Sequence, residues 1–168
     1  MRKELVFLDT ETTGLKKSEG AEIVELAIVA ENGRVLFDEL LKPNNPIPAE
    51  LTAIHGITND DVKNCRSFDA VKDEVLDLLQ DKEIVIYNAS FDLQWFPEID
   101  IDNVICAMCE YAEYNHEWDE VRETYRWIRL TNAQKAIGYD LPLGLRPHRA
   151  LADCLITRAV YLHILKHK

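Results

Sequence analysis

Apolar residues come first in short runs and later at helical spacing. Residues 3–10 contain the run Leu5-Val-Phe-Leu8 and predict a buried strand. Residues 22–31 alternate and then run apolar through Ile23, Val24, Leu26, Ala27, Ile28 and Val29, the pattern of a second strand. Asn32-Gly33 is a hairpin turn signal, and residues 35–41 predict a third strand. Pro43, Pro46 and Pro48 then break the pattern. Ser67 is placed to cap a helix with Phe68, Val71, Val75, Leu78 and Leu79 on one face. Ile84-Val-Ile-Tyr87 reads as a short strand running directly into residues 88–92. A helix from Phe91, a short strand near Val104-Ile105 and less regular helical segments up to Gly138 follow. Pro147 marks a boundary, and residues 148–166 predict a closing amphipathic helix. A three-strand meander followed by alternating helices and strands predicts a layered α/β fold with a mixed five-stranded sheet.

At 168 residues, without a repeat or linker, the chain is expected to be one domain, 1–168. The apolar fraction of 47% and charged fraction of 29% are those of a soluble globular protein. No apolar run approaches the ~18 residues of a membrane span. The four-residue run after Met1-Arg-Lys-Glu4 is shorter than the ~7–15 residues of an export signal, so the expected location is cytoplasmic, with no membrane partner. Cys65, Cys106, Cys109 and Cys154 have no framework spacing and read as free thiols, small hydrophobes of the core. Cys106-x-x-Cys109 and His163-x-x-x-His167 are the alternative, two halves of a zinc site. Residues 110–162 separate them, against a finger's ~12–15.

The net charge of −11 argues at first against a nucleic-acid partner. It is unevenly spread. Residues 1–120 carry 10 basic and 27 acidic side chains, whereas residues 121–168 carry 9 and 3. Arg122, Arg126, Arg129 and Lys135 form the core of the basic part, with Tyr125 and Trp127 as stacking surfaces. A plain solvated helix face is the competing reading.

Four acids attach to apolar lead-ins. Asp9 and Glu11 follow the first strand, two apart and so on one side of it, before a turn at Thr12-Thr13-Gly14. Asp92 follows the strand at 84–87, and Asp153 lies in the last helix. Each alone reads as readily as a helix cap or a loop residue. Three such segments together suggest a cage of hard oxygen ligands, the kind that suits Mg²⁺ or Mn²⁺ and phosphodiester hydrolysis.

In order, Asp9-x-Glu11-Thr-Thr-Gly14, Asn88-x-x-x-Asp92 and His148-x-x-x-x-Asp153 resemble the motifs of the DnaQ-like (DEDDh) 3′→5′ exonucleases, with Ile54-His-Gly-Ile-Thr58 similar to their intervening segment. The match runs from about Leu5 to Leu165. Ile105-Cys-Ala-Met108 and the stretch from His148 to Thr157 most resemble the bacterial exonuclease X branch; the proofreading subunit of the replicative polymerase is a more distant relative. The resemblance implies an RNase H-like fold and two divalent cations, Mg²⁺ or Mn²⁺, held by Asp9, Glu11, Asp92 and Asp153. It implies His148 as general base and Thr10, Leu15, Ile54, His55, Asn88 and Phe91 as contacts to the terminal nucleotide. The alternative is that Leu15, Ile54 and Phe91 are simply core residues, a reading that stands level for Phe91. The implied substrate is a nucleic acid 3′ end, DNA ahead of RNA, in repair or proofreading. A polymerase or repair complex is the implied partner, although no segment resembles a polymerase-binding tail. A polymerase-associated binding subunit and an RNase H-like endonuclease are the competing functions.

Overall fold

The computed structural model describes residues 3–168. Met1 and Arg2, which open the charged segment ahead of the first apolar run, lie outside the described residues. Strand β1 (Leu5–Thr12) is the middle strand of a five-stranded sheet. The others are β2 (Ile23–Ala30), β3 (Val35–Leu40), β4 (Glu83–Ile86) and β5 (Val104–Cys106), and the spatial order is β3-β2-β1-β4-β5. The β1–β2 and β2–β3 pairs are antiparallel; β1–β4 and β4–β5 are parallel. This is the mixed sheet that the sequence predicts. Gly33 supplies the left-handed residue of the β2–β3 turn, at φ 87°.

Helices cover both faces. Alternate β1 residues Leu5 and Phe7 pack with Val85 and Tyr87 against α5 (Ala107–Asn115), α6 (Leu130–Ala136) and α7 (Ala150–His167). Val6 and Leu8 face the other way, against α3 (Phe68–Leu79), Trp95 and Phe96. Ser67 accepts the Ala70 N–H as the cap of α3, as expected. The strict alternation of β1 therefore sends odd-numbered side chains to the α7 face and even-numbered ones to the α3 face. That division decides where the chemistry lies.

Several elements differ from expectation. The predicted helix from Phe91 is only one turn, α4 (Ala89–Asp92), followed by a 3₁₀ turn at Leu93–Trp95. Pro97 disfavours a helical Phe96, whose φ and ψ are −124° and 60°. Two helices lie within and beyond the proline-broken stretch, α1 (Ala49–His55) and α2 (Asn59–Val62). The latter has a Thr58/Asp61 capping box. A two-stranded ribbon, β6 (Trp118–Asp119) with β7 (Thr124–Tyr125), interrupts the region read as helical. Two-residue strands are too short to show a period. Helix α7 starts at Ala150 rather than His148, because His148 is left-handed at φ 62° and Arg149 is extended. Cys154 is buried in the core and Cys106 is partly buried against it, whereas Cys109 is exposed, so the core assignment holds for Cys154 and in part for Cys106. Among the described residues no helix is long and apolar enough to cross a membrane.

Candidate active site

Asp9 and Glu11 leave the same face of β1, the face that α7 covers, and Asp153 sits in the first turn of α7. Carboxylate oxygens of Asp9, Glu11 and Asp153 lie within 4.8 Å of one another. Asp92 stands outside that group, at the end of the one-turn helix α4 that follows β4. Its Oδ1 accepts from the Thr10 N–H at 3.1 Å and the Thr10 hydroxyl at 2.7 Å. Strand β1 thus splits its work: Asp9 and Glu11 face α7, and Thr10 between them secures Asp92 from the opposite side.

The electrostatics are those of crowded anions. Burial, then the carboxylates of Asp153, Asp92 and Glu11, pushes Asp9 well above the usual carboxylate range. Burial, followed by Asp153, Glu25 and Asp92, raises Glu11 to about 8. Burial raises Asp92 to about 7 against the hydrogen bonds from Thr10, and Asp153 to about 6 against the His148 N–H and imidazole. Such a set is poorly compatible with full ionisation unless a cation joins it. Hard oxygen donors that repel one another at this spacing fit a divalent metal ion.

His148 is exposed, and its backbone N–H donates to Asp153 Oδ1 at 3.2 Å. The imidazole therefore stands at the mouth of the cluster, beside a carboxylate already oriented by the same residue's main chain.

The family model described as Exonuclease (RNase_T) matches residues 6–161. The chain is 35% identical to the uncharacterized exonuclease CP81 of Escherichia phage 186, over 95% of this chain and 87% of that protein. The chain belongs to the exonuclease family. It is also 30% identical to the 3′-5′ exonuclease DinG of Bacillus subtilis, over 98% of this chain but only 18% of DinG. Among solved structures, exonuclease X in complex with 5′ overhanging duplex DNA superimposes with a TM-score of 0.74 at 29% identity, covering 98% of this chain and 92% of that one. The fold is RNase H-like, and the chemistry of the family is hydrolysis.

In this exonuclease-family chain the expected nucleotide contacts divide into two sets. Leu15 is 74% exposed and Ile54 50% exposed, so both side chains are open to solvent. Phe91 is partly buried and packs edge-on to Trp95, ring centroids 5.4 Å apart. Gln94 joins the two: its amide donates to the Leu15 and Phe91 carbonyls at 3.2 and 2.8 Å and accepts from the Lys17 N–H at 3.0 Å. Asn88 is exposed, and its Oδ1 accepts from the Ser90 hydroxyl.

Thr10 and His55 do not present their side chains as expected. The Thr10 hydroxyl is buried and engaged with Asp92. His55 is 1% exposed; its Nδ1 accepts the Ile57 N–H at 3.0 Å, so Nε2 carries the proton of the neutral ring. Burial lowers the pKa, against the neighbouring Glu25 carboxylate and the Thr12 backbone. A ring enclosed at the C-terminus of α1 is not an open substrate face.

The basic stretch divides: Arg146 and Arg149 stand beside the acid cluster, whereas Arg122 and Arg126 lie in and around the β6–β7 ribbon. Residues 116–129 form the β6–β7 ribbon and its flanks, where Glu117, Asp119, Glu120 and Glu123 outweigh Arg122, Arg126 and Arg129; Arg126 pairs with Glu117 at 2.7 Å. Tyr125 and His116 line a cavity with His167 and Lys168, at the far end of α7. Fourteen residues of helix separate His167 from Asp153, ~21 Å. The zinc alternative fails on the same geometry. Cys106 and Cys109 stand at the start of α5, whereas His163 Nε2 meets the hydroxyl of Tyr114, near the end of α5, at 3.2 Å.

Two residues absent from the sequence reading matter here. Glu25, 3% exposed, is opposite Glu11 in the β1–β2 register and binds the Arg149 guanidinium. A single charge within the otherwise apolar β2 was the available signal. Arg146 reaches the carbonyl of His55 at 2.7 Å, which no spacing rule suggests.

Proposed function

We propose that the protein is a 3′→5′ exonuclease that removes nucleoside 5′-monophosphates from the 3′ end of DNA. Asp9, Glu11, Asp92 and Asp153 would hold two divalent cations, Mg²⁺ or Mn²⁺. The observation that carries this reading is the convergence of Asp9, Glu11 and Asp153 within 4.8 Å, with raised pKa values, where β1 meets the first turn of α7. When bound, the ions supply the positive charge that the cluster lacks and polarise the scissile phosphate.

The chain's own groups do the rest. Thr10 orients Asp92, leaving Oδ2 free of these two donors. Asp153 is oriented by the His148 N–H. The imidazole of His148 accepts the proton of the attacking water at a ring nitrogen. The water oxygen bonds to phosphorus as phosphorus releases the 3′-oxygen of the penultimate nucleotide, which takes a proton from solvent and becomes the new 3′-hydroxyl. Leu15 and Ile54 separate the last base from its neighbour, and Phe91 backs it.

The test uses matched 5′-labelled DNA and RNA strands with Mg²⁺ or EDTA, alongside Asp9→Ala. A Mg²⁺-dependent DNA ladder shortening from the 3′ end, lost in Asp9→Ala, is expected. Internal cutting, or cleavage indifferent to EDTA, would overturn the reading; faster digestion of RNA would reassign the substrate.

A further inference from the structure

We infer that the ion pair of buried Glu25 with half-buried Arg149, assisted by Arg146, is the positioning device for His148. The inference rests on the assignment of His148 as the base. Nothing in the proposed reaction uses Glu25. It nevertheless occupies the buried centre of β2, where a carboxylate persists only with partners. Arg149 Nε approaches both of its oxygens at 3.0 Å, and Nη2 approaches Oε1 at 2.5 Å. The Ala150 N–H, at the exposed-donor end of α7, adds a contact to Oε2 at 2.9 Å. A two-pronged guanidinium contact fixes direction as well as distance.

What it fixes is the residue next door. The imidazole of His148 is exposed and takes no direction from packing, so the backbone has to aim it. That backbone is left-handed at φ 62°, a conformation that a non-glycine residue holds only when its surroundings impose it. The surroundings here are three anchors within five residues. Arg146 Nη2 donates to the His55 carbonyl at 2.7 Å, the His148 N–H donates to Asp153, and Arg149 grips Glu25. The chain is thereby tied to α1, α7 and β2 on either side of the base.

The experiment replaces the pair together, Glu25→Gln with Arg149→Gln, which leaves the net charge beside Glu11 unchanged. Arg149→Lys serves as the conservative variant. Each is made in the parent and in a His148→Ala background, and kcat and KM are measured on a 5′-labelled single strand with Mg²⁺. The Gln pair is expected to lower kcat ~10–100-fold in the parent with KM changed less than about twofold. In the His148→Ala background the loss should shrink to about twofold or less, because a clamp acting through His148 has nothing left to position. Arg149→Lys should recover part of the loss. Equal losses in both backgrounds, or a change in KM alone, would overturn the inference.

Hydrogen exchange on the metal-free protein gives a readout independent of activity. The His148 amide should exchange ~10-fold faster in the Gln pair while the amides of β1 keep their protection. Unchanged exchange at His148 would reject the clamp even if the parent shows no nuclease activity, an outcome that would instead remove the reaction assignment.

Discussion

Thr10 donates twice to a single oxygen of Asp92, from its backbone N–H at 3.1 Å and its hydroxyl at 2.7 Å. The two residues lie 82 positions apart, yet this contact keeps the fourth acid at the edge of the other three. Thr10→Val keeps the shape and removes the hydroxyl. Loss of a hydrogen bond to a buried charged group costs about 1.5–3 kcal/mol. Asp92 then loses a group that lowers its pKa, so it retains its proton more strongly. The expected outcome is a ~10-fold higher half-saturating Mg²⁺ concentration, recovered by Thr10→Ser. An Mg²⁺ titration of activity checks both; an unaltered Thr10→Val curve would mean that the backbone donor alone suffices.

The acid cluster also sets a pH dependence. In the folded, metal-free protein Glu11, Asp92 and Asp153 are raised to about 8, 7 and 6 from ordinary carboxylate values of 4.5, 3.8 and 3.8. Between the unfolded and folded values the folded state binds more protons, so stability falls as pH rises. Without metal the melting temperature should therefore decline from about pH 4 to about pH 8. Mg²⁺ reverses the penalty by binding the ionised form, and its stabilisation should be larger at pH 8 than at pH 6. Calorimetry at both pH values with Mg²⁺ or EDTA measures this. A Mg²⁺ effect that is flat with pH would show that the cluster does not take the ion.

The sheet and the four acids were legible because each acid interrupts or ends an apolar run, and a charge attached to a buried strand needs a reason. The same logic reaches Glu25, the lone charge within β2, although only the fold shows that its partner is Arg149 on α7. Period-two alternation also separates Thr10 from Asp9 and Glu11, so its inward direction was available in principle. The ribbon at 118–125 was not, because two-residue strands have no period and Arg122 and Arg126 read as a basic helix until Glu117 is seen opposite Arg126. The burial of His55 was not legible for a different reason: a histidine motif carries no record of its exposure, and 1% exposure emerges only in the folded chain.

Leu15 and Gln94 make a separable pair. Leu15 is largely exposed, so Leu15→Ala should leave the melting temperature unchanged within about 1–2 °C. Gln94→Ala releases the 15–17 segment from Phe91 by removing three hydrogen bonds. Both substitutions should slow removal of the terminal nucleotide, by ~5–30-fold in kcat/KM if base unstacking is worth ~1–2 kcal/mol. A duplex 3′ end should suffer more than a single strand, since more stacking must be undone there. Equal effects on both substrates would place Leu15 away from the wedge role.

Gly56 tests how tightly the 146–149 segment is tied to α1. It ends the helix at φ 73°, and a Cβ added there would lie 2.0 Å from Arg146 Nη2 and 3.2 Å from Cζ. Gly56→Ala must therefore accept a left-handed alanine, costing about 1–2 kcal/mol, and displace the guanidinium from the His55 carbonyl. The guanidinium is the far end of a flexible side chain, so it moves and the backbone does not. In an Arg146→Ala background only the backbone strain remains, and urea unfolding should show a smaller penalty for Gly56→Ala than in the parent. Activity should fall in the parent and show little further change in the Arg146→Ala background, because the contact that Gly56 permits is already gone. Identical unfolding penalties in the two backgrounds would mean that Arg146 contributes nothing at this helix end, and the hold on His148 would then rest on Glu25 and Arg149 alone.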